Sequence, residues 1–267
     1  MVGDPAAPTG ETFVLLHGYA GSSFSWRAWV PALAPRGRVF LVDMKGFGKA
    51  ARPDDDRYAP RDQAELVLRL IEDEGLTGIT LVGHSLGGGV ALQVALGLQD
   101  LGEAARLRRL VIVAGAAYRQ RLPPFVFLAR HPRLTWLVLR VAGVRLVVAQ
   151  ALRTMVFDPT TITGAQIDGY AAPLLLPGSQ RALLASALQI VPDDLDAMTR
   201  RYPGITVPTL LLWGRQDPAV PLWVGERLHR DLPRGRLVVV ERCGHLPAEE
   251  HPEATLAHLL HFLDDSG

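Results

Sequence analysis

The stretch ITLVGHSLGGGVALQVAL, Ile79 to Leu96, decides how this chain folds. Strand-forming residues run up to Gly83, then come His84, Ser85, Leu86 and three glycines, and an apolar helical pattern follows. Glycines two residues before and two after a serine, between a strand and a helix, describe a sharp turn that lifts the hydroxyl above a sheet edge. The glycines have a physical cause. A serine on such a turn sits at an unfavourable backbone angle, and side chains at Gly83 and Gly87 would clash. The N-terminus of the following helix favours negative charge at that point. The pentapeptide alone is weak in a chain with 26 glycines, and a serine at a helix start also serves as a simple cap. Distant residues must therefore decide what Ser85 does.

Outward from this stretch, short Val/Ile/Leu-rich runs alternate with helical patterns. Thr12–His17, Arg38–Asp43, Ile79–Gly83, Leu107–Gly115, Pro208–Gly214 and Arg236–Glu241 read as strands. Arg61–Gly75 and Leu86–Leu98 read as helices. Near-continuous apolar strands joined through helices predict an α/β fold with a mostly parallel sheet buried on both faces. Between Ala116 and Pro203 the alternation stops and no convincing strand is found. The expected organisation is a core of residues 1–115 and 204–267, with residues 116–203 as a helical cap over the C-terminal edge of the sheet, where such sheets bind ligands.

Composition narrows the function. A domain of 267 residues buries roughly three quarters of its unfolded surface, so it needs no staple. Cys243 is the single cysteine, which excludes an intramolecular disulfide and a thiolate zinc site. A formal net charge of +1 without a basic stripe argues against nucleic acid. The opening MVGDPAAPTGE is polar, and the nearest approach to a membrane span, Leu134–Leu152, is interrupted by Arg140 and Arg145. The expectation is a cytoplasmic protein, monomer or homodimer, without stable membrane insertion.

A serine nucleophile needs a base, and the base needs an orienting acid, in the chain order Ser, acid, His. Asp217 follows the strand in TLLLWGRQ, and His245 follows the strand in LVVVERCG. Three segments thus converge on one sheet edge. His251, His258 and His261 belong to the last helical segment, and His131 and His229 lack a preceding strand. Asp193, Asp194 and Asp196 read as a solvated helix start. The oxyanion donors expected are the backbone N–H groups of Leu86 and Tyr19, the latter in the HGYAGSS loop. His17 is expected to hold that loop, and the His84 side chain to point away from the attacking atom.

The segments LLHGYAGSSFSW, DMKGFGKAARP, GHSLGGGVAL, LLLWGRQDPAVP and CGHLPAEEHPE resemble the α/β-hydrolase superfamily, in particular small bacterial serine esterases and meta-cleavage-product hydrolases. The resemblance implies an α/β-hydrolase fold with the cap inserted after the sixth family strand. It implies Ser85 as nucleophile, Asp217 as acid, His245 as base, and Tyr19 and Leu86 as oxyanion amides. Serine at the nucleophile position sets the chain apart from the dehalogenases and epoxide hydrolases of the superfamily. Carbon–carbon hydrolases of this group usually have Trp after the catalytic His, and here it is Leu246. Two strands usually precede the HG loop. Only 11 residues precede Thr12, so the N-terminal hairpin should be short or missing and Arg38–Asp43 an exposed edge.

The reading is a serine hydrolase that cleaves a carboxylic ester or related acyl compound without metal or organic cofactor. The alternatives within the resemblance are C–C bond hydrolysis of a vinylogous diketone and a cofactor-free haloperoxidase or perhydrolase. The substrate would be a small molecule with an apolar acyl group, and Phe125, Trp136, Val220 and Leu246 are the candidate pocket residues. Most apolar cap residues, Phe127, Leu137 and Leu174–Leu176 among them, should form the cap's own core and its packing on the sheet.

Overall fold

The computed structural model describes residues 10–265, apart from the side chains of Phe125, Trp136 and Leu139. Six strands form one sheet: β1 (Glu11–Leu16), β2 (Gly37–Val42), β3 (Ile79–His84), β4 (Leu107–Val113), β5 (Thr209–Gly214) and β6 (Gly235–Val240). All neighbouring pairs are parallel, in the order β2-β1-β3-β4-β5-β6. Alternate residues face opposite sides. In β1, Val14 and Leu16 enter one core layer while Phe13 and Leu15 enter the other. That two-sided burial is why these strands read as unbroken apolar runs.

Helices α1 (Val30–Leu33) and α12 (Pro252–Asp265) close one face, with Trp26, Trp29, Leu259 and Phe262 in its core. Helices α2 (Pro60–Asp73), α3 (Leu86–Asp100) and α10 (Leu222–Asp231) close the other. The chain runs from β1 to β2 on one side and then crosses to β3 on the other side of β1. The strand order reverses between β1 and β3, and open α/β sheets form their ligand crevice at such a point. Leu16 of β1 pairs with Gly83 of β3, so the HG loop and the Ser85 turn leave the sheet side by side. β2 is an edge strand among the described residues; residues 1–9, which the hairpin expectation concerns, lie outside them.

Between β4 and β5 the described residues hold no strand. Helices α4 (Pro124–Ala129), α5 (Pro132–Ala142), α6 (Val144–Met155), α7 (Gly164–Ala171), α8 (Ser179–Gln189) and α9 (Leu195–Thr199) occupy this segment. Val148, Leu152, Met155, Ile162 and Ile167 form a separate apolar cluster that includes Ala219 and Leu246 from the loops after β5 and β6. This cluster seats the helices over the strand ends. The expectation that the segment's apolar residues are mostly interior is corrected for four of them: Phe127, Leu137, Leu175 and Leu176 are exposed. Phe127 and Leu137 lie on α4 and α5, and Leu175 and Leu176 at the end of a short 3-10 turn. Gly143 has φ 78°, and α5 and α6 meet there at 106°. No single helix among the described residues is long and apolar enough to cross a membrane.

Candidate active site

Ser85 occupies φ 54°, ψ −116°, a conformation that costs about 1–3 kcal/mol and persists only when its surroundings impose it. They do so here. Ser85 N–H donates to Val113 O at 3.0 Å, and Ser85 O accepts from Gly88 N at 3.0 Å and Ala116 N at 2.9 Å. The glycine requirement has identifiable partners. A Cβ on Gly83 would overlap the Gly87 carbonyl, and one on Gly87 would lie 2.5 Å from His17 O. A Cβ on Gly88 would lie 2.7 Å from the Gly115 Cα. The glycine run thus lets α3 start against the backbone of β1 and the end of β4. The Ser85 hydroxyl makes no cap bond to the α3 backbone, so the capping alternative does not describe it.

The hydroxyl meets His245 instead. Ser85 Oγ lies 2.9 Å from His245 Nε2, and His245 Nδ1 lies 2.8 Å from Asp217 Oδ2. Asp217 Oδ1 accepts from Ala219 N and Val220 N, each at 2.8 Å. An ionised carboxylate only accepts, so His245 Nδ1 carries the proton and Nε2 presents its lone pair to the serine. The side chains of Asp217 and His245 are 0% and 6% exposed, which keeps water from competing for these bonds. The structure therefore brings together three residues from the ends of β3, β5 and β6.

Other residues fix the geometry, and two of them carry no sequence signature. Glu250, in α11 (Pro247–Glu250), accepts from Gly244 N at 2.9 Å and Leu246 N at 3.2 Å, so one carboxylate grips both sides of His245. It also accepts from Phe157 N at 2.7 Å. Its neighbour Glu249 joins Arg27 of the core to Tyr170 and Gln166 of α7. His84 has a partner in the His245 loop. Its ring packs on the His245 ring at 4.9 Å, and its Nε2–H donates to His245 O at 2.8 Å. Burial, and then the neighbouring His245, push its pKa down to about 3, so it is neutral. The motif does not show this, because it depends on where a loop 161 residues away arrives. His17 is buried, and its Nε2 accepts from Met44 N at 3.0 Å while Nδ1–H donates to Gly18 O at 2.7 Å. It ties the HG loop to the loop after β2, and burial lowers its pKa.

A Cβ on Gly18 would lie 3.1 Å from Ser85 Cβ, so the HG loop runs directly past the nucleophile. Tyr19 follows it, and its hydroxyl donates to Leu183 O of α8 at 2.9 Å. Leu86 is the first residue of α3, a position whose N–H has no intrahelical acceptor.

Ser85 lines two cavities. The larger, about 180 Å³, is lined by Leu128, Val147, Val148, Leu152, Leu174 and Leu246, among others. The smaller, about 70 Å³, is lined by Leu86, Tyr118, Arg119, Gln120 and Val220, among others. Leu246 lines the larger cavity and Val220 the smaller, and Tyr19, Ser85 and His245 line both. The side chains of Phe125 and Trp136, the other two pocket candidates, lie outside the described residues. Cys243 is buried, which raises its thiol pKa. Among the described residues, no group of three or more His, Cys, Asp or Glu could hold a metal ion.

A sequence model of the alpha/beta hydrolase family matches residues 13–258. This chain belongs to that family. It is a hydrolase of the α/β-hydrolase type, with relatives of more than one specificity. It is 30% identical, over 95% of its length and 96% of the relative's, to a pimeloyl-[acyl-carrier protein] methyl ester esterase of Aeromonas hydrophila. It is 29% identical, over 95% of its length and 87% of the relative's, to a 2-hydroxy-6-oxononadienedioate/2-hydroxy-6-oxononatrienedioate hydrolase of Paraburkholderia phymatum. Among solved structures, an alpha/beta hydrolase fold protein from Burkholderia ambifaria superposes with a TM-score of 0.84 at 28% identity, covering 97% of this chain and 91% of that one.

Proposed function

We propose that this chain hydrolyses a carboxylic ester through an acyl-enzyme on Ser85. The observation that carries the reading is the hydrogen-bonded sequence Asp217–His245–Ser85, open to an apolar cavity. His245 Nε2 takes the hydroxyl proton as Ser85 Oγ attacks the ester carbonyl, and Asp217 stabilises the resulting imidazolium. The N–H groups of Tyr19 and Leu86 receive the oxyanion, where one donor is commonly worth about 10²–10³ in rate. The imidazolium returns its proton to the leaving alcohol as the tetrahedral intermediate collapses. Water, deprotonated by His245, then attacks the acyl-enzyme and releases the acid and free Ser85.

The larger cavity takes the acyl group. Its roughly 180 Å³ compares with about 150 Å³ for an engineered cavity that binds benzene, so medium acyl groups or a ring should fit. Residues 116–203 act as the cap that supplies most of this lining. The small apolar Leu246 at the cavity wall, where the resemblance associates C–C hydrolysis with Trp, favours ester cleavage.

The test is turnover of p-nitrophenyl esters of increasing acyl length, beside a ring-opened diketone substrate. The expected result is ester turnover with an optimum at intermediate length, abolished in Ser85→Ala. Undiminished ester turnover by Ser85→Ala would refute the mechanism. Faster cleavage of the diketone than of any ester would replace the substrate class.

A further inference from the structure

The outer face of α4–α6 combines two properties that the hydrolytic site does not use. The first is charge. Residues 124–155, from α4 to α6, carry five arginines and no acidic residue, and residues 116–203 carry ten arginines against five aspartates. The rest of the chain holds 18 basic and 22 acidic residues, so a nearly neutral protein is strongly polarised. Arg145 is paired with Asp168, but both are more than 60% exposed and such pairs are weak and salt-screened. The second property is outward apolar side chains. Leu134, Leu137 and Val141 fall at i, i+3 and i+7 on α5 and are 48%, 50% and 79% exposed. Phe127 on α4 and Leu146 on α6 are 58% and 59% exposed. The inward faces of the same helices, at Leu128, Thr135 and Val147, line the cavity beside Ser85.

We propose that this face docks on an anionic lipid bilayer. Exposed leucines and a phenylalanine among arginines are the signature of a segment that lies in the headgroup region. Arginines near an anionic surface add attraction that salt screens. Protein partners anchor in packed depressions. Here the apolar side chains protrude, and a bilayer accepts protruding chains without shape complementarity. The 106° bend at Gly143 divides α5 and α6 into two short segments, neither of which is long enough by itself to cross a bilayer. The cavity then lies directly behind the docked helices.

The test is co-sedimentation of the full chain with phosphatidylcholine vesicles, with and without phosphatidylglycerol, at low and high salt. Binding is expected only with phosphatidylglycerol and should be reversed by salt. Removing two arginines in Arg130→Gln/Arg133→Gln should weaken it about 25-fold, at roughly fivefold per charge. Leu137→Ser/Val141→Ser should weaken it by at least about tenfold. Both variants should keep wild-type turnover of p-nitrophenyl acetate, so vesicle binding and hydrolysis are read separately. Absent or phosphatidylglycerol-independent binding would overturn the proposal. So would a dimer, seen by light scattering, that Leu137→Ser/Val141→Ser dissociates, because the face would then be covered by a second copy.

Discussion

Replacing Asp217 by Asn should inactivate the protein while leaving it folded, and the reason is directional. Asp217 Oδ1 accepts from two backbone N–H groups, Ala219 and Val220, and Oδ2 faces His245 Nδ1. An asparagine has one acceptor oxygen. If the oxygen stays toward Ala219 and Val220, the NH₂ points at Nδ1. Nδ1 must then accept, the ring proton moves to Nε2, and the lone pair facing Ser85 is lost. The flipped amide would set NH₂ against two buried N–H donors, each unmet group costing about 1–3 kcal/mol. The first arrangement therefore wins, and it holds the wrong tautomer. The equivalent change in a serine protease lowers kcat about 10⁴-fold, which corresponds to about 5.4 kcal/mol of barrier. Fold stability should fall much less, by about 1–2 kcal/mol, because the bonds to Ala219 and Val220 survive without charge assistance. The assay is the initial rate on p-nitrophenyl butyrate beside a thermal melt. An Asp217→Asn protein with more than about a tenth of wild-type kcat would show that the tautomer assignment does not control the chemistry.

Three further outcomes are expected. Gly87→Ala should express poorly or melt lower by several degrees, since the added methyl meets the backbone carbonyls of Leu16 and His17 in a central strand that cannot yield; a wild-type melt with full activity would contradict this. Glu250→Gln turns an acceptor away from Gly244, Leu246 or Phe157, so kcat should drop about tenfold or more with a loss of roughly 1–3 kcal/mol in a urea melt. Stability should decrease as pH falls below about 6.5, the ordinary histidine value in an unfolded chain. His17 and His84 have lowered folded values, that of His84 to about 3. The unfolded state therefore binds more protons across that window, at up to about 1.4 kcal/mol per pH unit per histidine. Urea midpoints at acid and neutral pH check the sign, and equal midpoints would refute it.

The fold and the chemistry-bearing residues were legible because they are local. Near-continuous apolar runs, helical spacing and a glycine-flanked serine each need fewer than twenty residues. The six strands begin and end within about two residues of their expected bounds. The order of Ser85, Asp217 and His245 depends on strand ends, and a parallel sheet puts every such end on one edge. The hold of His84 on the His245 loop was not legible because its partner is a carbonyl delivered by a distant loop. Glu249 and Glu250 have no signature in the sequence because their partners are distant or are backbone N–H groups: one bridges to α7 and the other holds the His245 loop.

The sequence by itself determined the parallel sheet, the strained turn and which three side chains could share a sheet edge, since strand alternation and glycine sterics leave little choice. Only the tertiary structure decided which side chains line the space around Ser85, with Leu246 at the larger cavity and Val220 at the smaller. It also decided which apolar residues of α4–α6 turn outward. Helical periodicity tells which residues share a face, but only the packing of that helix on its neighbours tells whether the face meets protein or solvent.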